Sequence, residues 1–439
     1  MRRRPHRTRL LHLVTLTAIF AMSVVATVSW AWTGGVDQLG LPGEDPIVTY
    51  PGRAQPPLPG ARPPAEPGVP AVPGAPTAGP SASGVPGPSG SATPSAAPAR
   101  PGPGQTALGG PRPALRDRSG GRCRTGRKLV PSCGVLWGVA PGAFTDARGR
   151  RALHDFERKT GRHQAVYHAY HKGTRQLFPT EAERAIAREP GRERILFLNW
   201  KPAGATWAQI ARGDRTTDAF LDRLARHIDK EYPEQFFFTV HHEAEDNVRE
   251  EKGSGYTAGD YAAMYRHVVR RLRAHGVDNL VTVLVHMAYV PHTSKSWFDK
   301  MYPGDDVIDW IGFDTYAYSD PGYGHGDFAE LLNRQSSGRP NWPGFYNWAT
   351  AEHPDKPLMV AEWGVWSSRR NPGHKAEFYR EVGRQIGNFP NIRALVHFDT
   401  PHNQEGRDSS VDATPDALRA YRKLGRLPIF QVDVAPSLP

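Results

Sequence analysis

Glu243 and Glu362 are the residues of this 439-residue chain whose type and setting best fit working chemical groups. Each follows a short apolar run, Phe236–His241 for the first and Leu358–Ala361 for the second, and each stands beside rings, His241-His242 before Glu243 and Trp363 after Glu362. Two carboxyls set this way suit hydrolysis of a glycosidic bond, in which one protonates the leaving oxygen while the other attacks the sugar carbon or activates water. Flat rings cover the C–H faces of a pyranose, and His and Tyr satisfy hydroxyls. His242, Tyr316, Trp137, Tyr167, His168, Trp200, Trp366 and His397, all near the ends of apolar runs, are therefore candidates to line a substrate cleft. A lone strand-end glutamate is equally well read as half of a salt bridge. Two of them in one repeating pattern, each beside rings, favour catalysis.

That pattern must bring both glutamates to one rim. Short apolar runs at Val135–Val139, Ala165–His168, Ile195–Trp200, Phe236–His241, Leu280–His286, Val307–Phe313, Leu358–Ala361 and Ala394–Phe398 read as strands. Between them lie amphipathic stretches such as Thr217–Lys230, Ala258–Ala274 and Ala376–Ile386, with apolar residues at three-and-four spacing. Eight strand–helix beats over residues 120–430 predict an α/β fold, a (β/α)8 TIM barrel, whose chemistry sits at the C-terminal ends of the strands. Strands four and seven, which carry the glutamates, face each other across such a mouth. No Gly-rich phosphate loop follows the first strand, which argues against an open doubly wound sheet.

The rest of the chain has other work. Residues 1–32 combine five arginines before Leu10 with an uncharged run from Leu10 to Trp32, which reads as a signal peptide or a membrane anchor. Ser29-Trp30-Ala31 passes as a cleavage site, and either outcome exports the remainder of the chain, as a secreted protein or one tethered to the outer face of the cytoplasmic membrane. Residues 33–119, rich in Pro, Gly, Ala and Ser, are expected to be a disordered linker, and residues 431–439 a C-terminal tail. The net charge of +11 suggests nucleic acid, but eleven arginines against five acidic residues before position 119 account for more than half of it. The remainder forms no basic run, so no nucleic-acid partner is expected. The two cysteines, Cys123 and Cys133, are expected to close a small loop as a disulfide in an exported protein.

Within this frame the chain resembles glycoside hydrolase family 26, of the clan with paired strand-four and strand-seven glutamates. The resemblance rests on His242-Glu243, Glu362-Trp363-Gly364, Phe156-Glu157 with Gly161, Trp200-Lys201-Pro202, and Asp309-Trp310-Ile311-Gly312-Phe313-Asp314-x-Tyr316. It implies a retaining mechanism with Glu243 as acid/base and Glu362 as nucleophile, Tyr316 holding the nucleophile, and His242 touching the sugar or orienting Glu243. Strict pleating puts His241, not His242, on the face of Glu243, and a bulge at the strand end would reconcile the two. Where the mannan-cleaving members continue with Met-Asn-Gly and a nearby Trp, this chain has Ala244-Glu245-Asp246-Asn247-Val248. β-Mannan, xylan, β-glucan and uronic-acid-containing polymers all stay open as substrates.

Two other readings stand beside this one. A metal-dependent hydrolase on the same barrel would gather His168, His171, His241, His242 and Asp314, but strand one, Val135-Leu136-Trp137-Gly138-Val139, lacks the His-x-His such barrels carry. A non-catalytic carbohydrate- or wall-binding barrel would keep the rings without needing both glutamates. The expectation is an enzyme with a polysaccharide partner, no cofactor, no bound metal and a monomeric state.

Overall fold

The computed structural model describes Arg116 and residues 120–320, 327–336 and 338–434. The segment expected to direct export and nearly all of the expected linker lie outside the described residues. Among those that are described, no helix is long and apolar enough to cross a membrane.

Eight parallel strands close a barrel in sequence order: β1 Leu136–Pro141, β2 Val166–Lys172, β3 Ile195–Lys201, β4 Phe236–Val240, β5 Leu280–Met287, β6 Trp310–Tyr318, β7 Leu358–Trp366 and β8 Ile392–Asp399. Strand β1 pairs with β8, completing the closure. The longer helices of the outer wall are α1 Gly149–Thr160, α2 Glu181–Ala187, α3 Arg215–Glu231, α4 Ala258–Ala274, α5 Phe345–Glu352, α6 His374–Gln385 and α7 Pro415–Gly425. The predicted (β/α)8 alternation holds except after β5, where Val290–Thr293 and a 3-10 turn at Phe298–Met301 stand in for a longer helix. The sixth strand starts at Trp310 and not at Val307, because Val307 and Ile308 are buried in the turn before it while the Asp309 carboxylate accepts the Thr282 amide at 3.0 Å.

Helix starts follow capping chemistry. The Thr257 hydroxyl accepts from the Asp260 amide at 3.1 Å and the Asp260 carboxylate accepts from the Thr257 amide at 3.0 Å, a reciprocal cap that fixes the start of α4. One face of α4 then buries Tyr261, Met264, Tyr265, Val268 and Leu272 against the sheet.

The barrel wall separates two apolar layers, and strand alternation decides which layer a residue joins. Leu136, Val166, Phe197, Phe237, Val283, Trp310, Met359, Ala394 and Val396 fill the interior. Trp137, Val139, Tyr167, Leu196, Leu198, Trp200, Phe238, Leu284, Phe313, Trp363 and Leu395 pack outward against the helices. A third small cluster, Ala140, Ala143, Tyr170 and Phe398 with Tyr316 against it, lies at the C-terminal mouth.

The opposite end is stoppered. Cys123 and Cys133 form a disulfide with their Cα atoms 5.0 Å apart. The loop it closes inserts Leu129 into the interior cluster, its Lys128 carbonyl accepts from Trp310 Nε1 at 2.8 Å, and Lys128 Nζ pairs with Asp309 at 2.6 Å. The tail is bound there too, with the Asp433 amide donating to the Cys123 carbonyl at 2.8 Å.

Candidate active site

Strand β7 does not alternate regularly. Its pairing with β6 runs Phe313 to Val360 and then Asp314 to Glu362, which leaves Ala361 as an extra residue. Ala361 faces the interior cluster and Trp363 the helix layer, so the bulge turns Glu362 into the mouth, where unbroken alternation from Met359 would have turned it outward. Gly364 stays small because a Cβ there would meet Ser409 at 3.1 Å and the Tyr316 ring at 3.4 Å.

At β4 the device differs. The strand ends at Val240, and His241 and Glu243 both adopt left-handed backbone, with φ 52° and 51°. Such a conformation costs a non-glycine residue about 1 kcal/mol or more and persists only where its surroundings hold it. Tyr261 Oη donates to the Val240 carbonyl at 3.1 Å, and the Glu243 amide donates to the Val285 carbonyl at 3.2 Å. The paired reversals send His241 outward, where its Nδ1 accepts from Trp207 Nε1 at 3.1 Å, and send His242 inward. The sequence expectation of an irregular strand end is met by this turn.

Glu362 is buried and doubly held. Tyr170 Oη donates to its Oε1 at 2.5 Å and Tyr316 Oη to its Oε2 at 2.8 Å. Since the single Tyr170 proton goes to the carboxylate, His168 Nδ1, 3.1 Å away, carries the proton that donates back to the tyrosine oxygen. His242 Nε2 lies 3.6 Å from Glu362 Oε1, and Asn199 Nδ2 donates to His242 Nδ1 at 2.5 Å, so the ring carries its proton on Nε2, facing the mouth. Burial first, then the nearby Lys201, pushes the His242 pKa down to about 3 and keeps it neutral.

Three carboxyls share this space. Burial raises Glu362 to about 7, even though both tyrosine hydroxyls pull it down. Glu243 is pushed well above the usual carboxylate range by burial first, then by the charges of Glu362, Asp246 and Glu245. Asp314 is raised likewise by burial, then by Glu362 and Glu243. Of the three, only Glu362 has two hydroxyl donors, so it is the carboxyl that ionises first while Glu243 keeps its proton. His242, Glu243 and Asp314 also offer one ligand atom each within 4.8 Å of one another. The wider histidine cluster of the metal reading does not assemble, because His171 turns outward to Glu183 at 3.0 Å and His241 to Trp207.

Residues 215–334, which carry Glu243 and the Asp314-x-Tyr316 element, match the family model of glycosyl hydrolase family 26. That segment is similar to the family over somewhat more than a quarter of the chain. The chain is 35% identical over 68 residues to a beta-1,3-xylanase of a Vibrio species and 28% identical over 67 residues to a beta-1,3-xylanase of an Alcaligenes species. Each alignment takes in 15% of this chain, and they span 15% and 14% of those two proteins. Among solved structures, a beta-mannanase from Bacteroides ovatus is 17% identical, with a TM-score of 0.48 and coverage of 68% of this chain and 90% of that one. Glu362 lies beyond the matched segment, and its position in the barrel is described by the bulge and the two tyrosines alone.

The mouth gathers some of the residues singled out from sequence and not others. Glu243, Glu362, His242 and Tyr316 meet there, and Trp366 joins them, stacked on Tyr316 with ring centres 5.0 Å apart. His168 faces inward but sits one layer below, stacked on Phe197 and bonded to Tyr170, so its place is behind Glu362. Trp137, Tyr167, Trp200 and His397 do not join them: all four have outward parity and face the helix layer. Trp137 packs on Phe430 with ring centres 4.4 Å apart, Trp200 donates to the Gly173 carbonyl, and His397 Nε2 meets the Ser409 carbonyl. Tyr167 lies in the helix-side layer, lining with Tyr170, Phe144, Arg148 and Gln176 a cavity of about 260 Å³ beside the mouth. Sequence reasoning missed Tyr170 and Asn199. Tyr170 lies two places after His168, a candidate of the same inward parity, which is a signal that finds it; Asn199 lies two places after the inward-facing Phe197, which had not been singled out. The Ala244–Asn247 turn, where a sugar-stacking ring was absent, does structural work instead: Glu245 pairs with His286 at 2.7 Å and Asp246 with His292 at 2.9 Å.

Proposed function

We propose that this protein is an exported, retaining glycoside hydrolase that cleaves a β-linked polysaccharide, with Glu243 as acid/base and Glu362 as nucleophile. The observation that carries the reading is the contrast between the two carboxyls of one buried mouth. Glu362 is held by two tyrosine hydroxyls that favour its ionised form, while Glu243, without such donors, is kept protonated by burial and its neighbours' charge. Glu243 gives its proton to the glycosidic oxygen as Glu362 bonds to the anomeric carbon, and Glu243, now a carboxylate, then takes a proton from the water that releases the sugar. The neutral His242 and the Trp366 ring offer a donor and a face to the sugar beside the bond.

Because the two curated relatives are named beta-1,3-xylanases, β-1,3-xylan is the first polymer to test, followed by β-1,4-xylan, β-mannan and β-glucan. Proton NMR of the first-formed product reads the mechanism: retention supports the double displacement, and an inverted anomer rejects it. Glu362→Ala should lower turnover at least a thousand-fold with the circular dichroism of the barrel unchanged. More than a tenth of wild-type activity remaining would overturn the assignment.

A further inference from the structure

We infer that the mouth also recognises a carboxylate on its substrate, a hexuronic acid unit or branch, through Arg334 with Arg407. The inference names the substrate class of the proposed site and so rests on reading that site as a glycan site.

Arg334 is an unusual buried cation in this protein. It is 7% exposed, its Nη2 donates to the Tyr316 carbonyl at 2.7 Å, and among the described residues its Nε has no partner. No described carboxylate forms an ion pair with it, and Glu330 acts on it only through its field. Arg194, equally buried, is fully answered: its Nη2 meets Glu157 at 3.0 Å and its Nη1 meets Glu189 at 2.8 Å. Lys375 is answered by the Asp408 and Ser410 carbonyls. A guanidinium cannot shed its charge, and burying one without a counter-ion is costly. Such a group is explained if the missing carboxylate arrives with the substrate.

Its position fits. Tyr316 joins the two groups, its hydroxyl on Glu362 and its carbonyl on Arg334, so the guanidinium stands about one tyrosine's length from the nucleophile, the scale of a sugar ring. Trp366 stacks on Tyr316, and Tyr318 meets Trp366 edge-on with ring centres 4.6 Å apart. The Arg407 guanidinium lies 4.5 Å from the Trp366 ring centre and 5.0 Å from that of Tyr318, and the Arg334 guanidinium lies 6.0 Å from the latter. Two guanidiniums over adjoining rings combine a planar fork for a carboxylate with flat faces for the pyranose that bears it.

The test compares matched ligands on the full chain: a glucuronate-bearing xylo-oligosaccharide and an oligo-β-mannuronate, each against its carboxyl-reduced counterpart, which differs only in lacking the charge. Calorimetry on Glu362→Ala, which cannot turn over, should give at least one acidic ligand about ten-fold or more tighter than its reduced partner. That ratio should shrink toward one in 1 M salt. Arg334→Gln and Arg407→Gln, added separately, should each reduce the ratio. Ratios near one for both pairs, or a ratio that survives both substitutions, would overturn the inference, and the first comparison needs no arginine variant to fold. Failure of the wild type to cleave any of these ligands or neutral β-glycans would reject the glycosidase reading, while the binding ratio still decides the carboxylate site.

Discussion

Removing one oxygen atom, in Tyr170→Phe, tests how the site sets its proton inventory. Tyr170 donates to Glu362 at 2.5 Å, and a hydrogen bond to a charged group contributes roughly 1.5–3 kcal/mol. At about 1.36 kcal/mol per unit, the lost bond corresponds to about one to two pH units. Its direction is fixed: the hydroxyl favours the ionised form, so without it Glu362 rises further above its value of about 7. Turnover needs the ionised nucleophile, so the acid limb of kcat/KM should move upward in pH by that amount. Activity on the acid side should then fall about ten- to hundred-fold, with a smaller loss on the plateau, where Glu362 is ionised in both proteins and only its orientation suffers. The assay is a kcat/KM profile with a dinitrophenyl β-glycoside of the preferred sugar, whose leaving group departs without Glu243's proton. Tyr316→Phe serves as the second donor's control. An acid limb unmoved in Tyr170→Phe, in a variant with wild-type thermal unfolding, would refute the role of the tyrosines in setting the dyad's protonation.

Glu243→Ala should flatten the basic limb and slow natural polysaccharides far more than activated aryl glycosides, and equal losses on both would remove its role as acid. Activity should be indifferent to EDTA and to added Zn²⁺; loss in EDTA with recovery on Zn²⁺ would redirect attention to His242, Glu243 and Asp314. Trp137→Ala should destabilise the barrel by about 3–5 kcal/mol in urea unfolding while leaving KM unchanged in the folded fraction, because its ring packs outward. A raised KM with undiminished stability would return it to the cleft. Reducing Cys123–Cys133 should cost roughly 2–3 kcal/mol without altering kcat, and two titratable thiols in the unreduced, denatured protein would deny the bond.

Much of the barrel and its site was legible in the sequence, and the failures have one origin. Apolar runs located all eight strands because burial dictates composition, and the Glu243/Glu362 pair stood out because carboxyls at strand ends are rarely apolar filler. Residue type could not say which way a side chain faces. Trp137, Trp200 and His397 look like sugar platforms by chemistry and are helix-layer packing by parity, while Tyr170, one more aromatic in a run of them, faces Glu362. The bulge at Ala361 and the left-handed pair around His242 are invisible to composition, since they depend on backbone that no single residue announces. Arg334 was hidden for a related reason, because its significance lies in an Nε with no partner among the described residues.

The stopper at the base of the barrel has a mechanical consequence. The described chain both begins and ends there: the Thr125 amide donates to the Asp433 carbonyl at 3.3 Å, the Asp433 amide donates to Cys123, and Arg122 pairs with Asp433 at 3.0 Å. A pull applied through either end is therefore borne first by this short zipper, and the covalent bond between Cys123 and Cys133 keeps the load from peeling the loop off Trp310. The turns that carry Glu243 and Glu362 lie at the far ends of the strands, shielded by the whole length of the hydrogen-bonded wall. Tethering such a domain by a terminus would load its foot and leave its working face slack.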